Sequence, residues 1–139
     1  MVNRDLVARK VARARSWLAD AAARLDQPRD AFLANADSRD LATFHLFLAM
    51  QDVIDLAVHW VADAGWDPPD DAGGAFDVLA TRGVIPQASA TDLRAMVGLR
   101  NRIAHGYATL DHERLHEEAT DGLAAMRAFL VAVADAAAL

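Results

Sequence analysis

The segment from residue 39 to residue 64 constrains the fold more than any other part of the sequence. Its large apolar residues recur at helical spacing and surround most of the helix circumference: Leu41, Phe44, Leu48, Val53, Ile54, Leu56, Val58 and Val61. A surface helix carries a single apolar stripe, whereas a helix that is apolar on most sides has to be covered by other elements. We therefore expect a central helix with partners packed on several of its sides.

The N-terminal part of the chain predicts one partner of this central helix. Apolar residues within 4–25 recur at spacings of three and four, which is typical of an amphipathic helix. This helix should end before Pro28, because the residue preceding a proline disfavours helical geometry. Residues 31–33 would then be a connector. Either Asp37 or Ser38 can cap the central helix with its side chain.

The C-terminal half predicts three further helices, the first of them short and covering residues 75–81. Ser89 and Asp92 have the spacing of a capping box and are expected to begin the second. That helix should end near residues 104 and 105, with Gly106 as a left-handed cap. Asp111 can cap the last helix. Four long helices and one short helix, joined by short loops, predict an all-α antiparallel bundle of four to five helices.

Length and composition narrow the class of protein. A chain of 139 residues predicts one domain, residues 1–139, with a core of its own. The absence of cysteine excludes disulfides and thiolate metal sites. The first residues lack the apolar stretch of a signal peptide, and the uninterrupted apolar runs are far shorter than the roughly 18 residues of a membrane span. We therefore expect a cytoplasmic protein without a membrane partner.

The net charge of −6 argues against a protein coated with basic surface for nucleic acid, but it does not exclude a local basic groove. The densest basic cluster consists of Arg94, Arg100 and Arg102, followed by His105 and the only tyrosine, Tyr107. Arg100 falls within an apolar stripe, where leucine or isoleucine would be expected. A guanidinium in such a position needs a carboxylate or an anionic ligand.

The run Gly-Leu-Arg-Asn-Arg-Ile-Ala-His-Gly-Tyr at 98–107 resembles the signature of HepT-type toxins in the HEPN superfamily. That signature is an arginine, often followed by a polar residue, then three more residues, a histidine, one residue and a tyrosine. The resemblance extends over about residues 4–135. It implies a small helical-bundle homodimer that acts as an RNA endonuclease without a metal or other cofactor. It also implies a type II- or type VII-like toxin–antitoxin pair, in which a minimal nucleotidyltransferase (MNT) antitoxin silences the toxin by AMP transfer.

Matched residue by residue, the resemblance implies that Arg100 and His105 are catalytic, that Asn101 supports them, and that Tyr107 accepts AMP. The chemistry suits these residue types, because histidine moves protons near neutral pH and arginine binds phosphate oxygens bidentately. Residues five apart on a helix differ by about 140°, so Arg100 and His105 do not share a face. Either the helix loosens before His105, or the site draws residues from both subunits of a dimer.

Each of these residues also has a structural interpretation. Arg100 could form an ion pair with Asp52 or Asp55 of the central helix, with Asp55 slightly favoured, and such a pair could also orient it for catalysis. His105 could merely cap a helix end, and Tyr107 could be a half-buried core residue. The remaining arginines of the cluster are solvated charges or contacts to RNA phosphates; they are Arg94 and Arg102.

Two other clusters could suggest metal chemistry. His112, Glu113 and His116 spell the H-E-x-x-H pattern of zinc hydrolases, but no third ligand is evident outside the same helix. His45, Asp52, Asp55 and His59 recur along one face of the central helix, but no partner set appears in another helix. We expect the histidines to be core or interface residues. A catalytically silent HEPN module that binds a nucleotidyltransferase or a nucleotide is the alternative function.

Overall fold

The computed structural model describes residues 2–139, within which there are six α-helices and no strand. The helices are α1 (Arg4–Leu25), α2 (Arg29–Ala34), α3 (Ala36–Asp63), α4 (Ala72–Thr81), α5 (Gln87–Gly106) and α6 (His112–Ala136), with a 3₁₀ turn at Tyr107–Thr109. The predicted all-α class is confirmed, with one more short helix than expected. Met1, the first residue of the predicted domain, lies outside the described residues.

The central position predicted for the long apolar helix is confirmed. Helix α3 packs against α1, α2, α4, α5 and α6, and its contact with α1 is the most extensive. Phe76 of α4 and Phe129 of α6 meet edge-to-face in the core, with ring centroids 5.5 Å apart. Both rings are completely buried. The other helices therefore form one continuous apolar core around α3.

Helix α3 is also the one helix within residues 2–139 that is long and apolar enough to cross a membrane, judged by length and composition alone. Its most apolar 18-residue window has a mean hydropathy of 1.5. Polar residues interrupt this window, so it is not one of the uninterrupted apolar runs of the sequence. Of the window, 56% is buried by the rest of the chain, as in the core helix of a bundle.

The predicted start of the central helix is wrong in two details. Residues 31–33 are not a connector but part of α2, where Phe32 is fully buried and anchors this short helix to the core. The cap of α3 is neither Asp37 nor Ser38. Instead, the side chain of Asn35 accepts a hydrogen bond of 3.1 Å from the Ser38 amide. Asn35 can do this because its backbone is extended between two helices.

The predicted ends of α5 also differ from the structure. The helix begins at Gln87, directly after Pro86, and the backbone amide of Ser89 donates to the Pro86 carbonyl. The expected capping box of Ser89 and Asp92 therefore lies inside the helix. At the other end, Gly106 is still helical by its hydrogen bonds, and its φ of −153° is not left-handed. The chain tightens into the 3₁₀ turn there, so no left-handed cap is needed.

Candidate active site

Helix α5 holds Arg100 at the edge of its buried face. Leu99 and Ile103 on either side of it in sequence are buried, and Arg100 itself is half-buried. Its Nε atom is out of contact with solvent and has no hydrogen-bond partner among residues 2–139. With Asn101 and Gly73, Arg100 lines a surface cavity of about 390 Å³ between α5 and the start of α4. Within residues 2–139, therefore, the fold does not use the charge of Arg100 in an ion pair, and the residue borders a cavity that a ligand could enter.

The predicted ion pair between Arg100 and Asp52 or Asp55 is not formed in this structure. Asp52 is buried, and both of its carboxylate oxygens accept hydrogen bonds from Arg13 of α1. Lys10, also on α1, approaches Asp55 to 3.1 Å and Asp52 to 3.7 Å. The hydrogen bond and the charge of Asp52 raise the pKa of Arg13 above its ordinary value. Arg100 does not pair with Asp52 or Asp55 because this face of α3 packs against α1, whose cations neutralise both carboxylates.

His105 is exposed and lies near the end of α5. It lines a different cavity, of about 340 Å³, together with Arg102, Leu110 and Arg114. Arg100 and His105 therefore open into separate cavities of one protomer, as expected for residues five apart on a helix. Because α5 continues without interruption to Gly106, the helix does not loosen before His105. Of the two alternatives raised by the sequence, this structure does not support the first.

The two arginines predicted to bind RNA are both engaged in ion pairs. Arg94 donates to Asp77 of α4 at 2.6 Å, with both side chains nearly half exposed. Arg102 pairs with Glu118 of α6, which also accepts from Arg114. Exposed ion pairs contribute only about 0–1 kcal/mol, so a phosphate group could replace either carboxylate at small cost. Both arginines remain candidates for contacts to a polyanion.

Tyr107 lies in the 3₁₀ turn between α5 and α6. Its hydroxyl donates a hydrogen bond of 2.9 Å to Oδ1 of Asp40, near the start of α3. Burial is the main factor that raises the pKa of Tyr107 above its ordinary value, and the hydrogen bond and charge of Asp40 add to it. The side chain is nevertheless 44% exposed. Sequence reasoning missed Asp40 as the partner of Tyr107, because no local pattern connects residues 67 positions apart.

The histidine clusters are dispersed in the fold. His45 stacks on Trp17 of α1, with ring centroids 5.6 Å apart, whereas His59 is exposed. His112 approaches the Tyr107 ring edge-on, and His116 packs against Phe32. Within the part of the chain that the structure describes, no group of three His, Asp or Glu residues could hold a metal ion. The H-E-x-x-H pattern therefore receives no support as a zinc site.

Several solved structures share this fold at low sequence identity. A toxin–antitoxin complex with AMP-PNP matches with a TM-score of 0.84 and 21% identity, covering 93% of this chain and 97% of the other. A tri-AMPylated HEPN toxin from Shewanella oneidensis, in complex with its MNT antitoxin, matches with a TM-score of 0.83, 22% identity, and coverage of 93% and 96%. YutE, a cytosolic protein of unknown function from Bacillus subtilis, matches with a TM-score of 0.82, 14% identity, and coverage of 96% and 90%.

The sequence comparisons are more specific about the family. No curated protein matches the chain significantly. The profile of the family described as "Ribonuclease HepT-like" matches residues 15–133, which include all of α2 to α5, the second half of α1 and most of α6. The resemblance noted at residues 98–107 is thereby confirmed over most of the sequence. The chain belongs to the HepT-like ribonuclease family.

Proposed function

We propose that residues 1–139 form one HepT-like domain that acts in the cytoplasm as the toxin of a toxin–antitoxin pair. Its activity is metal-independent endonucleolytic cleavage of RNA. Its partner is an MNT antitoxin, which silences it by transferring AMP to Tyr107. The family match supports the ribonuclease activity, and the similar toxin–antitoxin structures, one of them tri-AMPylated, support the partner and the modification.

The observation that carries this proposal is the unsatisfied guanidinium of Arg100. Its buried Nε lacks a partner within residues 2–139, although polar atoms without partners are costly in a folded protein. Arg94 and Arg102, on the same helix, both have carboxylate partners. A fold without need of Arg100 would gain by replacing it with an apolar residue. Binding of an anionic phosphate would satisfy the group and explain its presence in the cavity.

Arg100 and His105 supply what metal-independent RNA cleavage requires. The 2′-oxygen of the substrate attacks the adjacent phosphorus, the bond to the 5′-oxygen breaks, and a 2′,3′-cyclic phosphate forms. The N–H groups of Arg100 bind the phosphate oxygens, which carry the negative charge of the transition state. His105 moves a proton to or from the reacting oxygens, which an exposed imidazole can do near neutral pH. Asn101 supports the site from the next position on α5.

A homodimer resolves the separation of the two catalytic residues. Arg100 and His105 line different cavities of one protomer, so a complete site requires Arg100 of one protomer to meet His105 of the partner subunit. Helix α3 keeps apolar side chains exposed although it is the core helix: Leu41 is 37%, Phe44 53% and Val58 44% exposed. Apolar side chains that a core helix leaves exposed are available for contact with a second subunit. They support the proposed dimer.

The position of Tyr107 explains how an AMP group on this residue would silence the toxin. Its neighbours Gly106 and Thr109 line the same cavity as His105. An AMP group on Tyr107 would add a bulky, negatively charged phosphodiester at the edge of this cavity. It would compete with RNA phosphates for Arg102 and would obstruct access to His105. One modification would therefore block binding and proton transfer together.

Cleavage of labelled RNA by unmodified protein in excess EDTA tests the proposal. The wild type should cut the RNA, and His105→Ala should reduce the rate by about 1,000-fold, within the range for loss of a general acid–base group. Arg127→Ala is the control, because Arg127 is exposed on α6 and belongs to no part of the site. Absence of cleavage by wild-type protein, with Tyr107 unmodified by mass spectrometry, would reject the enzyme.

A catalytically silent HEPN module that binds the nucleotidyltransferase or a nucleotide is the second candidate function. Two ion pairs favour this function, Arg94 with Asp77 and Arg102 with Glu118. They neutralise the two arginines that are proposed to bind RNA. The overall charge of −6 acts in the same direction. In that case His105→Ala would bind the antitoxin as wild type does, and neither protein would cut RNA.

A further inference from the structure

The hydrogen bond between Tyr107 and Asp40 is not needed for any step of RNA cleavage. It joins the turn after α5 to the start of α3, and Oη of Tyr107 lies 2.9 Å from Oδ1 of Asp40. Both groups are exposed, so an exposed phenol could equally well bond to water. The carboxylate is therefore within proton-transfer distance of the one tyrosine hydroxyl in the chain.

We propose that Asp40 is a catalytic residue for nucleotidyl transfer to Tyr107, accepting the phenolic proton; this inference rests on the proposed silencing by AMP transfer. Oη of Tyr107 forms a bond to the α-phosphorus of a nucleoside triphosphate held by the transferase. The bond from that phosphorus to the pyrophosphate oxygen breaks, and pyrophosphate leaves with the electron pair. The proton of Oη passes to Oδ1 of Asp40. The toxin thus supplies part of the chemistry of its own modification.

The phenol requires such an acceptor because it is a poor nucleophile when protonated. At pH 7, a tyrosine with an ordinary pKa of about 10 is ionised to roughly one part in a thousand. Burial and Asp40 raise the pKa of Tyr107 further, which makes preformed phenolate rarer still. Transfer of the proton to a nearby carboxylate while the new bond forms removes the need for free phenolate.

The other charged and titratable groups around Tyr107 leave this role to Asp40. Arg39, on α3, has its Nε 3.8 Å from Oδ1 of Asp40 and donates from Nη1 to the carbonyl of Leu33, so it holds the carboxylate in place. His112, on α6, meets the ring of Tyr107 edge-on, with centroids 6.2 Å apart. The hydroxyl itself donates to Asp40 and not to this imidazole.

The same contact cannot persist once Tyr107 is modified. Once Oη is esterified it has no proton, so it cannot donate to Asp40 again. The new phosphodiester is negatively charged, and like charges at this distance repel. The modified side chain must therefore move away from α3, and the cavity lined by His105 begins next to it. Loss of the Asp40 contact would favour the blocked state of the toxin.

Asp40→Asn tests the inference, because asparagine keeps the shape and can accept the hydrogen bond but cannot take the proton. The assay uses an MNT antitoxin, the proposed partner, with Mg²⁺ and ATP labelled on the α-phosphate, and it measures the initial rate of label transfer to Tyr107. We expect Asp40→Asn to be labelled about 100-fold more slowly than wild type. Asp37→Asn, an exposed carboxylate one turn earlier on α3, should be labelled at the wild-type rate. Asp40→Glu should recover part of the loss.

A pH profile separates proton transfer from a structural role. Between pH 7 and 9, the labelling rate of Asp40→Asn should rise about tenfold per pH unit, since it then depends on free phenolate. The wild-type rate should rise much less. Affinity for the transferase and cleavage of RNA should be unchanged in Asp40→Asn, which shows that the variant is folded.

Two results would overturn the inference, and they are distinguishable. If Asp40→Asn is labelled at or above the wild-type rate with the same pH profile, Asp40 is not the acceptor, while silencing by AMP transfer stands. If wild-type protein receives no label on Tyr107, the proposed silencing fails and this inference fails with it. Cleavage of RNA by wild-type protein is independent of both results.

Discussion

The contact between α1 and α3 and the end of α5 use the same kinds of charged residue in opposite ways. Between α1 and α3, Asp52 is buried and both its oxygens are bonded to Arg13, with Lys10 close by. On α5, Arg100 has a buried Nε that finds no partner in the described part of the chain. His105 on the same helix is exposed. Complete pairing stabilises the bundle, whereas incomplete pairing leaves groups available to a ligand.

Among the changes that test this comparison, Arg100→Ala should show the largest effect, and it should be a loss of activity without a loss of stability. We expect RNA cleavage to fall about 100-fold, because the cation that holds the phosphate is lost. The free energy of unfolding should not fall, because the substitution removes a buried Nε that has no partner within residues 2–139. Parallel cleavage assays and urea titrations measure the two quantities. If the free energy of unfolding fell by as much as the free-energy equivalent of the lost activity, Arg100 would be a structural residue.

Asp52→Ala should have the reverse outcome. It removes the buried partner of two cations, and we expect the free energy of unfolding to fall by about 2 kcal/mol, less than for a fully buried pair because Arg13 is 55% exposed. Cleavage by the remaining folded protein should match wild type. Asp20→Ala, at an exposed position on α1, is the control for urea denaturation. If folded Asp52→Ala protein cleaved RNA more slowly than wild type, this carboxylate would belong to the active site.

The smallest effect concerns Tyr107 and the pH dependence of stability. Its pKa in the folded protein is raised, so its contribution to stability is complete below the unfolded pKa of about 10 and is lost as pH rises through the folded value. Since Tyr107 is the only tyrosine, ultraviolet titration of the phenol reads it directly. The midpoint should lie above pH 10 in wild type and lower in Asp40→Asn. Equal midpoints would mean that the contact with Asp40 does not persist in solution.

The helices and the central position of α3 were predictable because they depend on near neighbours in the chain. Spacings of three and four produce an apolar face, and Pro28 marks a boundary whatever the rest of the chain does. The start of α5 was less predictable. The Ser89 and Asp92 spacing matched a cap, but the helix begins directly after Pro86 instead. Where several start signals lie within a few residues, the packing of the helix determines at which one the helix begins.

The identity of the candidate site could likewise be read from the sequence, because Arg100, His105 and Tyr107 lie within eight consecutive residues. Their partners could not. Which carboxylate meets which cation depends on the face that each helix turns toward its neighbour, and a pairing between residues 67 positions apart leaves no local pattern. The tertiary structure alone therefore decided that Asp52 pairs with Arg13, that Arg100 has no carboxylate partner within the described chain, and that Asp40 receives the hydroxyl of Tyr107.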